Sequence, residues 1–272
     1  MKPLDLPLRI VTLAIVVATV AFLLAPLLVA CLLSFDNRSF LGPFPPKDFS
    51  LRWYRSFLDN PSYLDGFWMS VHIAIIAGAI STAIGTATAL ALADPRLPGR
   101  DAIEAVFLSP KFVPTVVIGF SLLVFTAFIG IYDPFVRLVM GHTIITIPFT
   151  IRAVSASLVA LKRSHIEAAM SLGASEPRAL WDVAVPAARS GIVAGGAIAF
   201  VLSFDEVAVS LFLSDAFTQT LPIALVAEMR ANLNLTIAAV STVFLAATLA
   251  LLFVLDRTLG IERLAGDVGA RG

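Results

Sequence analysis

Two neighbouring carboxylic acids, Asp205 and Glu206, lie inside a stretch of sequence that is otherwise apolar. Ionisable side chains within a membrane are energetically expensive, so they usually face protein or a water-filled cavity and often mark a substrate path. Adjacent residues of an α-helix point about 100° apart, so at most one of the two faces a pore squarely. If one does, a cationic solute fits. If not, the pair meets a basic residue of a neighbouring subunit, and the residues alone leave both interpretations open.

A second polar segment, residues 162–190, separates two apolar stretches. It carries a spaced pattern: Glu167-Ala168-Ala169, three residues, Gly173, nine residues, and then Val183, Val185 and Pro186. Basic residues lie on both sides of this pattern: Arg152, Lys162, Arg163, Arg178 and Arg189. The segment is too charged to cross a bilayer. Taken without its spacing, it is also compatible with an amphipathic connector that binds no partner.

Catalytic and metal-binding patterns are missing from the sequence. A P-loop needs a glycine directly before its lysine so that backbone amides can cradle phosphates. No lysine here follows a glycine: Lys2, Lys47, Lys111 and Lys162. The three histidines lack metal-ligand spacing: His72, His142 and His165. There is neither an HExxH helix nor a Gly-x-Ser-x-Gly turn, so we expect no enzyme activity, no metal site and no cofactor bound by the chain itself.

Composition places the chain in a membrane. Of its 272 residues 58% are hydrophobic and only 14% charged, whereas a soluble domain of this size has about 25% charged residues. Basic and acidic residues are equal in number, at 19 each, so net charge suggests no nucleic-acid partner. The single cysteine, Cys31, excludes an internal disulfide.

Six apolar stretches are long enough to be transmembrane helices, since a span needs about 20 residues. The predicted spans cover residues 10–33, 67–93, 102–129, 135–161, 192–213 and 236–255. The chain is therefore expected to be an all-α, multi-pass membrane protein forming a single transmembrane domain over residues 1–272. The excess of basic residues in alternate loops predicts both termini in the cytoplasm. A cleaved signal peptide and a lipoprotein site at Cys31 are the alternatives for the first span.

The segment 162–190 resembles the EAA loop of permease subunits of binding-protein-dependent ATP-binding-cassette (ABC) importers. The family pattern ends in Ile-x-Leu-Pro, where this chain has Val183, Val185 and Pro186. Further matches resemble the polyamine-type branch: Trp53-Tyr54, Ser203-Phe204-Asp205-Glu206 and Thr220-Leu221-Pro222. The resemblance covers most of the chain and implies the type I importer permease (MetI-like) fold.

The resemblance assigns roles within the loop. It implies a short coupling helix that docks on a separate ATPase subunit, with Glu167 anchoring the loop through a nearby arginine or a helix amino terminus. Ala168 and Ala169 let the helix approach its partner closely, and Gly173 permits a sharp turn between two short helices. Pro186 is expected to end the helix before the fifth span.

The same resemblance implies an assembly in the bacterial inner membrane. Its expected partners are two ABC ATPase subunits that bind the ATP, a second permease subunit, an external solute-binding protein and membrane lipid. The expected solute is a polyamine such as spermidine or putrescine. The alternative is a carrier or channel driven by an ion gradient, although such carriers commonly show inverted repeats that are not evident here.

Overall fold

The computed structural model describes residues 5–39, 42–159, 161, 163–231 and 235–259, which are almost entirely helical. Its α-helices are α1 (Asp5–Leu33), α2 (Arg52–Asp59), α3 (Pro61–Leu92), α4 (Arg100–Leu108), α5 (Thr115–Phe128), α6 (Pro134–Leu158), α7 (Arg163–Ser171), α8 (Glu176–Ala179), α9 (Val185–Phe204), α10 (Ala208–Leu213), α11 (Leu221–Ala231) and α12 (Thr236–Leu259). The one β pairing within those ranges is an isolated antiparallel bridge between Asp36 and Phe49. The expected all-α class is confirmed.

Three helices in the described ranges are long and apolar enough to cross a membrane: Leu8–Leu33, Pro61–Leu92 and Pro134–Leu158. The number rises to five if each of two sharply bent helix pairs counts as one span, and the apolar part of α12 is shorter, Thr236–Ala250. The residues after 259 lie outside the described part of the chain. Six spans over residues 1–272 therefore stay a prediction.

The chain divides into two compact units, and the first comprises Met1–Tyr63 and Leu225–Leu249. Trp53 is only 5% exposed in this unit and packs with Leu235 and Ala239. Its indole Nε1 donates to the backbone oxygen of Asp36 at 2.7 Å. Trp53 thus holds a buried, hydrogen-bonded position. Residues 8–29 of α1, by contrast, are all exposed.

The second unit comprises Leu64–Ala224 and Ala250–Gly272, and within its described part α6 packs against both α3 and α9. Small residues allow the close approach: a Cβ on Gly85 or on Gly191 would overlap side-chain atoms of α6. Thr150 of α6 donates its hydroxyl to the backbone oxygen of Ser81 at 2.9 Å. Ser81 and Ala89, two further small residues of α3, are also buried, as expected where small residues let helix backbones approach closely.

The third predicted span is bent, and the helical run that leads into the fifth bends as well. The third consists of residues 100–112 and 115–128, which meet at 107° around Pro114, where a backbone donor is missing. Residues 176–204 form one helical run with a π-helical segment at Leu180–Ala184 and a bend of 70° between Ala187 and Arg189. Contrary to expectation, the helix therefore does not end at Pro186 but changes direction directly after it, which is the usual effect of a proline inside a helix.

Candidate functional site

The polar segment folds as two short helices joined by a tight turn. Helix α7 carries Glu167, Ala168 and Ala169, and none of its residues is buried. Gly173 follows with φ of +98°, and a Cβ there would meet no atom within 4 Å. Positive φ alone therefore requires glycine at this position. The turn that was predicted at Gly173 is present.

An ion-pair network ties α7 to the turn that follows α3. The Arg163 guanidinium donates to Glu167 Oε1 at 3.1 Å and also pairs with the Asp94 carboxylate. The backbone N–H of Arg96 donates to Asp94 at 3.0 Å, and this bond, together with Arg163, holds the pKa of Asp94 below its ordinary value. The nearby arginine expected to anchor Glu167 is thus Arg163. Asp94, its second partner, was not singled out from the sequence.

The same segment exposes large apolar side chains. The exposed fractions are 91% for Leu172 and 70% for Trp181, and Met170 is also exposed. Val183 and Val185 are partly buried, while Ala184 between them packs into the core of the unit. Sequence reasoning passed over Trp181 because it lies in the nine-residue gap of the spaced pattern. A tryptophan in a polar segment between spans was the available signal.

The two acids lie at a break between α9 and α10, not inside a continuous helix. Helix α9 ends at Phe204, and α10 begins at Ala208. Glu206 Oε1 accepts the backbone N–H of Val209 at 3.0 Å, so this side chain caps α10. The assumption of a single helix through residues 192–213 is wrong at this point, because Glu206 satisfies the first turn of a new helix.

Asp205 has a different environment from that of its neighbour. Its side chain is exposed and forms no ion pair with any residue in the described ranges. Asp205 directly follows Phe204, a buried residue whose ring stacks on Phe200 with centroids 5.7 Å apart and meets Phe67 edge-on at 5.9 Å. The structure therefore separates the pair into a helix cap and an exposed carboxylate that follows an aromatic cluster in the chain.

A buried histidine links the elements around this break. His142 of α6 lies with its Nδ1 2.8 Å from Ser203 Oγ and its Nε2 2.9 Å from Ser210 Oγ. Sequence reasoning treated His142 only as a lone histidine without metal-ligand spacing. Sixty-one and 68 positions separate it from its two serines, so spacing along the chain gave no signal.

Among the described residues, the side chains around the loop and the break do not form a catalytic constellation. No group of three or more His, Cys, Asp and Glu side chains there could hold a metal ion. Residues 83–260 match the family described as "Binding-protein-dependent transport system inner membrane component". The chain belongs to this family. Like its relatives, it is a transport permease and not an enzyme, and it is an inner-membrane component.

Curated relatives resemble the permease over nearly its whole length. It is 27% identical over 252 residues to the spermidine/putrescine transport system permease protein PotC of Escherichia coli (strain K12), covering 93% of this chain and 94% of that protein. It is 27% identical to the putrescine transport system permease protein PotI of the same strain, covering 83% of this chain and 82% of that one. The sulfate transport system permease protein CysT of Salmonella typhimurium is 25% identical, covering 75% of this permease and 79% of that protein.

Solved structures share the fold. A chain of a bacterial ABC transporter involved in the import of the acidic polysaccharide alginate superposes with a TM-score of 0.75 at 16% identity, covering 94% of this permease and 98% of that chain. A chain of the MetNI methionine ABC transporter superposes with a TM-score of 0.60 at 18% identity, covering 73% and 94%. The expected importer-permease fold is confirmed.

Proposed function

We propose that this permease forms half of the translocation pore of an ATP-driven importer for polyamines such as spermidine or putrescine. The observation that carries the proposal is the exposed Asp205 carboxylate, one residue after the Phe200–Phe204 ring pair, in a chain that resembles two polyamine permeases over most of its length. ATP is bound and hydrolysed by two separate ABC ATPase subunits, and solute arrives from an external binding protein. Both termini of the permease lie in the cytoplasm.

The solute class follows from charge. Polyamines carry several ammonium groups separated by apolar methylene chains. A carboxylate attracts the ammonium group, and aromatic faces attract cations through their quadrupole. Asp205 with Phe200 and Phe204 offers both features. Glu206 is committed to the cap of α10, so Asp205 is the acid that contacts the solute.

Coupling to the ATPase is assigned to the EAA loop. Helix α7 exposes Glu167 and Ala168, and the apolar side chains of Leu172 and Trp181 project into solvent next to it. Large apolar groups exposed in this way favour a protein partner. The Arg163 bridge to Asp94 passes a displacement of α7 to the end of α3 as a rigid-body movement.

A second permease subunit is part of the proposal. Between α3 and α9 the second unit has an open groove of about 670 Å³, lined by small and apolar residues that include Gly78, Thr82 and Gly196. In the first unit, α1 leaves its apolar surface uncovered. Apolar surfaces of this kind are covered by lipid or by another transmembrane chain, and a pore made of two halves uses both.

Uptake assays test the solute. The permease would be reconstituted in vesicles with its ATPase, partner permease and binding protein, and uptake of labelled putrescine, spermidine and sulfate would be measured. We expect uptake of the polyamines and no uptake of sulfate. In the Asp205→Asn variant we expect the KM for polyamine uptake to rise about tenfold, which corresponds to the loss of one charge contact of about 1.4 kcal/mol. Asp215→Asn is the matched control, because Asp215 is an exposed acid whose oxygen accepts backbone N–H groups, as an asparagine oxygen also can. ATP-dependent sulfate uptake without polyamine uptake would overturn the solute assignment, and uptake without ATP would favour the ion-gradient carrier.

Co-purification tests the coupling loop. We expect Glu167→Arg to lose the ATPase subunit during purification in mild detergent, because the new positive charge faces Arg163. Asp101→Arg is the control, since Asp101 is a fully solvated acid at the start of α4, with a side chain 98% exposed. If both variants retain the ATPase and its solute-stimulated activity, the loop is not the coupling element.

A further inference from the structure

A buried imidazole joins the short helix α10 to the end of α9, in addition to the packing of α10 on α5 and α6. His142 is 0% exposed. Its two ring nitrogens contact hydroxyls on opposite sides of the α9–α10 break, at Ser203 and at Ser210. One side chain of α6 therefore connects the end of α9 to the middle of α10.

The hydrogen-bond inventory determines where the protons are. The Ser210 hydroxyl donates to the backbone oxygen of Glu206 at 2.9 Å, so its oxygen is left to accept from His142 Nε2–H. The Nδ1 atom of a neutral imidazole is then an acceptor, and the Ser203 hydroxyl donates to it. The ring nitrogens and both hydroxyls are satisfied with a neutral ring. The protons thus run in one direction, from Ser203 through His142 and Ser210 to Glu206.

Glycines bring α10 close enough for these bonds. A Cβ on Gly141, the residue before His142, would lie 2.6 Å from Val209 Cγ1 and 2.7 Å from Leu213 Cδ1. A Cβ on Gly119 of α5 would lie 3.0 Å from the Cα of Val209. Helix α10 therefore rests directly on α5 and α6, in a position that larger residues would forbid.

We propose that His142 is a positioning residue for the Asp205 carboxylate. The backbone oxygen of Glu206 ends the hydrogen-bonded chain, and its carboxylate caps α10. Asp205 is the residue between this fixed point and the end of α9 at Phe204. The backbone N–H of Asp205 donates to Val201 of α9 at 3.2 Å, so Asp205 belongs to the end of α9, and His142 sets where α10 lies relative to its carboxylate. When the bonds to His142 are lost, α10 can turn relative to α9 and change the surroundings of Asp205. The identity of the solute rests on the proposed function, but the positioning does not.

Substitution of the imidazole separates positioning from packing. His142→Leu keeps an apolar volume and removes both bonds, whereas His142→Gln offers an amide N–H that can reach Ser210. We expect His142→Leu to raise the KM for putrescine about tenfold or more, since small displacements of a binding group are costly, with a smaller change in maximal rate and partial rescue in His142→Gln. Thr126→Val is the matched control: Thr126 is fully buried, but its hydroxyl bonds only within its own helix, to Leu122 and Leu123.

A chemical probe reports the position of residue 205 without reference to the solute. In a Cys31→Ser background, Asp205→Cys would be introduced and its reaction rate with a charged, water-soluble thiosulfonate measured in the assembled complex. We expect the rate to change severalfold when His142→Leu is added and to return towards the parent value with His142→Gln. The rate is expected to stay constant with Thr126→Val.

The outcomes decide the proposal even if polyamines are not transported. A reaction rate and a putrescine KM that are the same in His142→Leu as in the parent would overturn it. Polyamine uptake that is absent in the parent, with a thiol reaction rate that still depends on His142, would remove the solute assignment and leave the positioning role. If His142→Leu fails to assemble, Ser210→Ala and His142→Gln take its place, and Ser210→Ala is then expected to change the reaction rate in the same direction.

Discussion

The EAA loop and the α9–α10 break hold their acidic residues in opposite ways. In the loop, Glu167 and Asp94 are joined by the charged Arg163 in a partly solvated network. At the break, the bonds around Glu206 come from neutral groups: a backbone N–H, a serine hydroxyl and, behind it, an imidazole. Charged pairs are inexpensive where water remains, whereas an apolar environment penalises charge that is not fully compensated.

The difference matches what the proposed function asks of each region. A loop that docks on another protein can rely on charged contacts, because their attraction falls off only gradually with distance. A residue that meets a solute inside the membrane needs a fixed direction, which short, directional bonds between buried groups provide. The comparison predicts that substitutions which disturb packing have their largest effects at the α9–α10 break. Removal of charges and added salt are expected to act mainly on the EAA loop.

The largest effect is expected from a single methyl group at the break. Gly141→Ala places a Cβ 2.6 Å from Val209, and overpacking of this kind costs about 1–3 kcal/mol. We expect a lower thermal midpoint of the purified complex and loss of most solute uptake. Thr126→Val is the control, because it alters a fully buried side chain of the neighbouring α5 without adding volume. Equal midpoints for the two variants would show that α10 is not tightly held.

A smaller effect is expected from removing the charged bridge in the loop. Arg163→Ala releases Glu167 and Asp94 together, so we expect solute-stimulated ATPase activity to fall by less than about fivefold, as for other solvated ion pairs. Raising the salt concentration of the wild-type complex should reproduce part of this loss, since salt screens exposed charges. The ATPase activity of the Thr126→Val variant is the control, because it shows whether a change of a buried side chain elsewhere causes the same loss of activity. If high salt lowers the activity of Arg163→Ala as strongly as that of the wild type, the bridge is not the salt-sensitive element.

The smallest effect concerns pH. The pKa of Asp94 is held below its ordinary value of 3.8, so its contribution is present above that value and is lost only as pH falls through the lower, folded-state pKa. Between about pH 5 and pH 8 the carboxylate therefore stays charged. We expect the ratio of ATPase activities of Asp94→Asn and wild type to be constant across this range. A ratio that approaches one as pH falls towards 5 would show that Asp94 becomes protonated there.

Much of the EAA loop could be predicted from the sequence because its pattern is local. Glu167, Ala168 and Ala169 lie within one turn of helix, and the turn at Gly173 depends on the conformational freedom of a single residue. The helical class likewise follows from apolar runs of span length. At Pro186 the helix bends instead of ending, because the preceding π-helical segment lets the chain continue as a helix past the proline.

The sequence by itself determined that this chain lies in a membrane, that it is helical and that residues 162–190 carry the EAA pattern, because composition, run length and short spacing are properties of neighbouring residues. Only the tertiary structure decided which acid at the break is a helix cap and which is exposed, and only the fold brought His142 to Ser203 and Ser210. Those contacts depend on the packing of α6 against α9 and α10, where glycines permit an approach that no local pattern records. A side chain's partner across the fold is set by which helices meet, and that is a property of the whole unit.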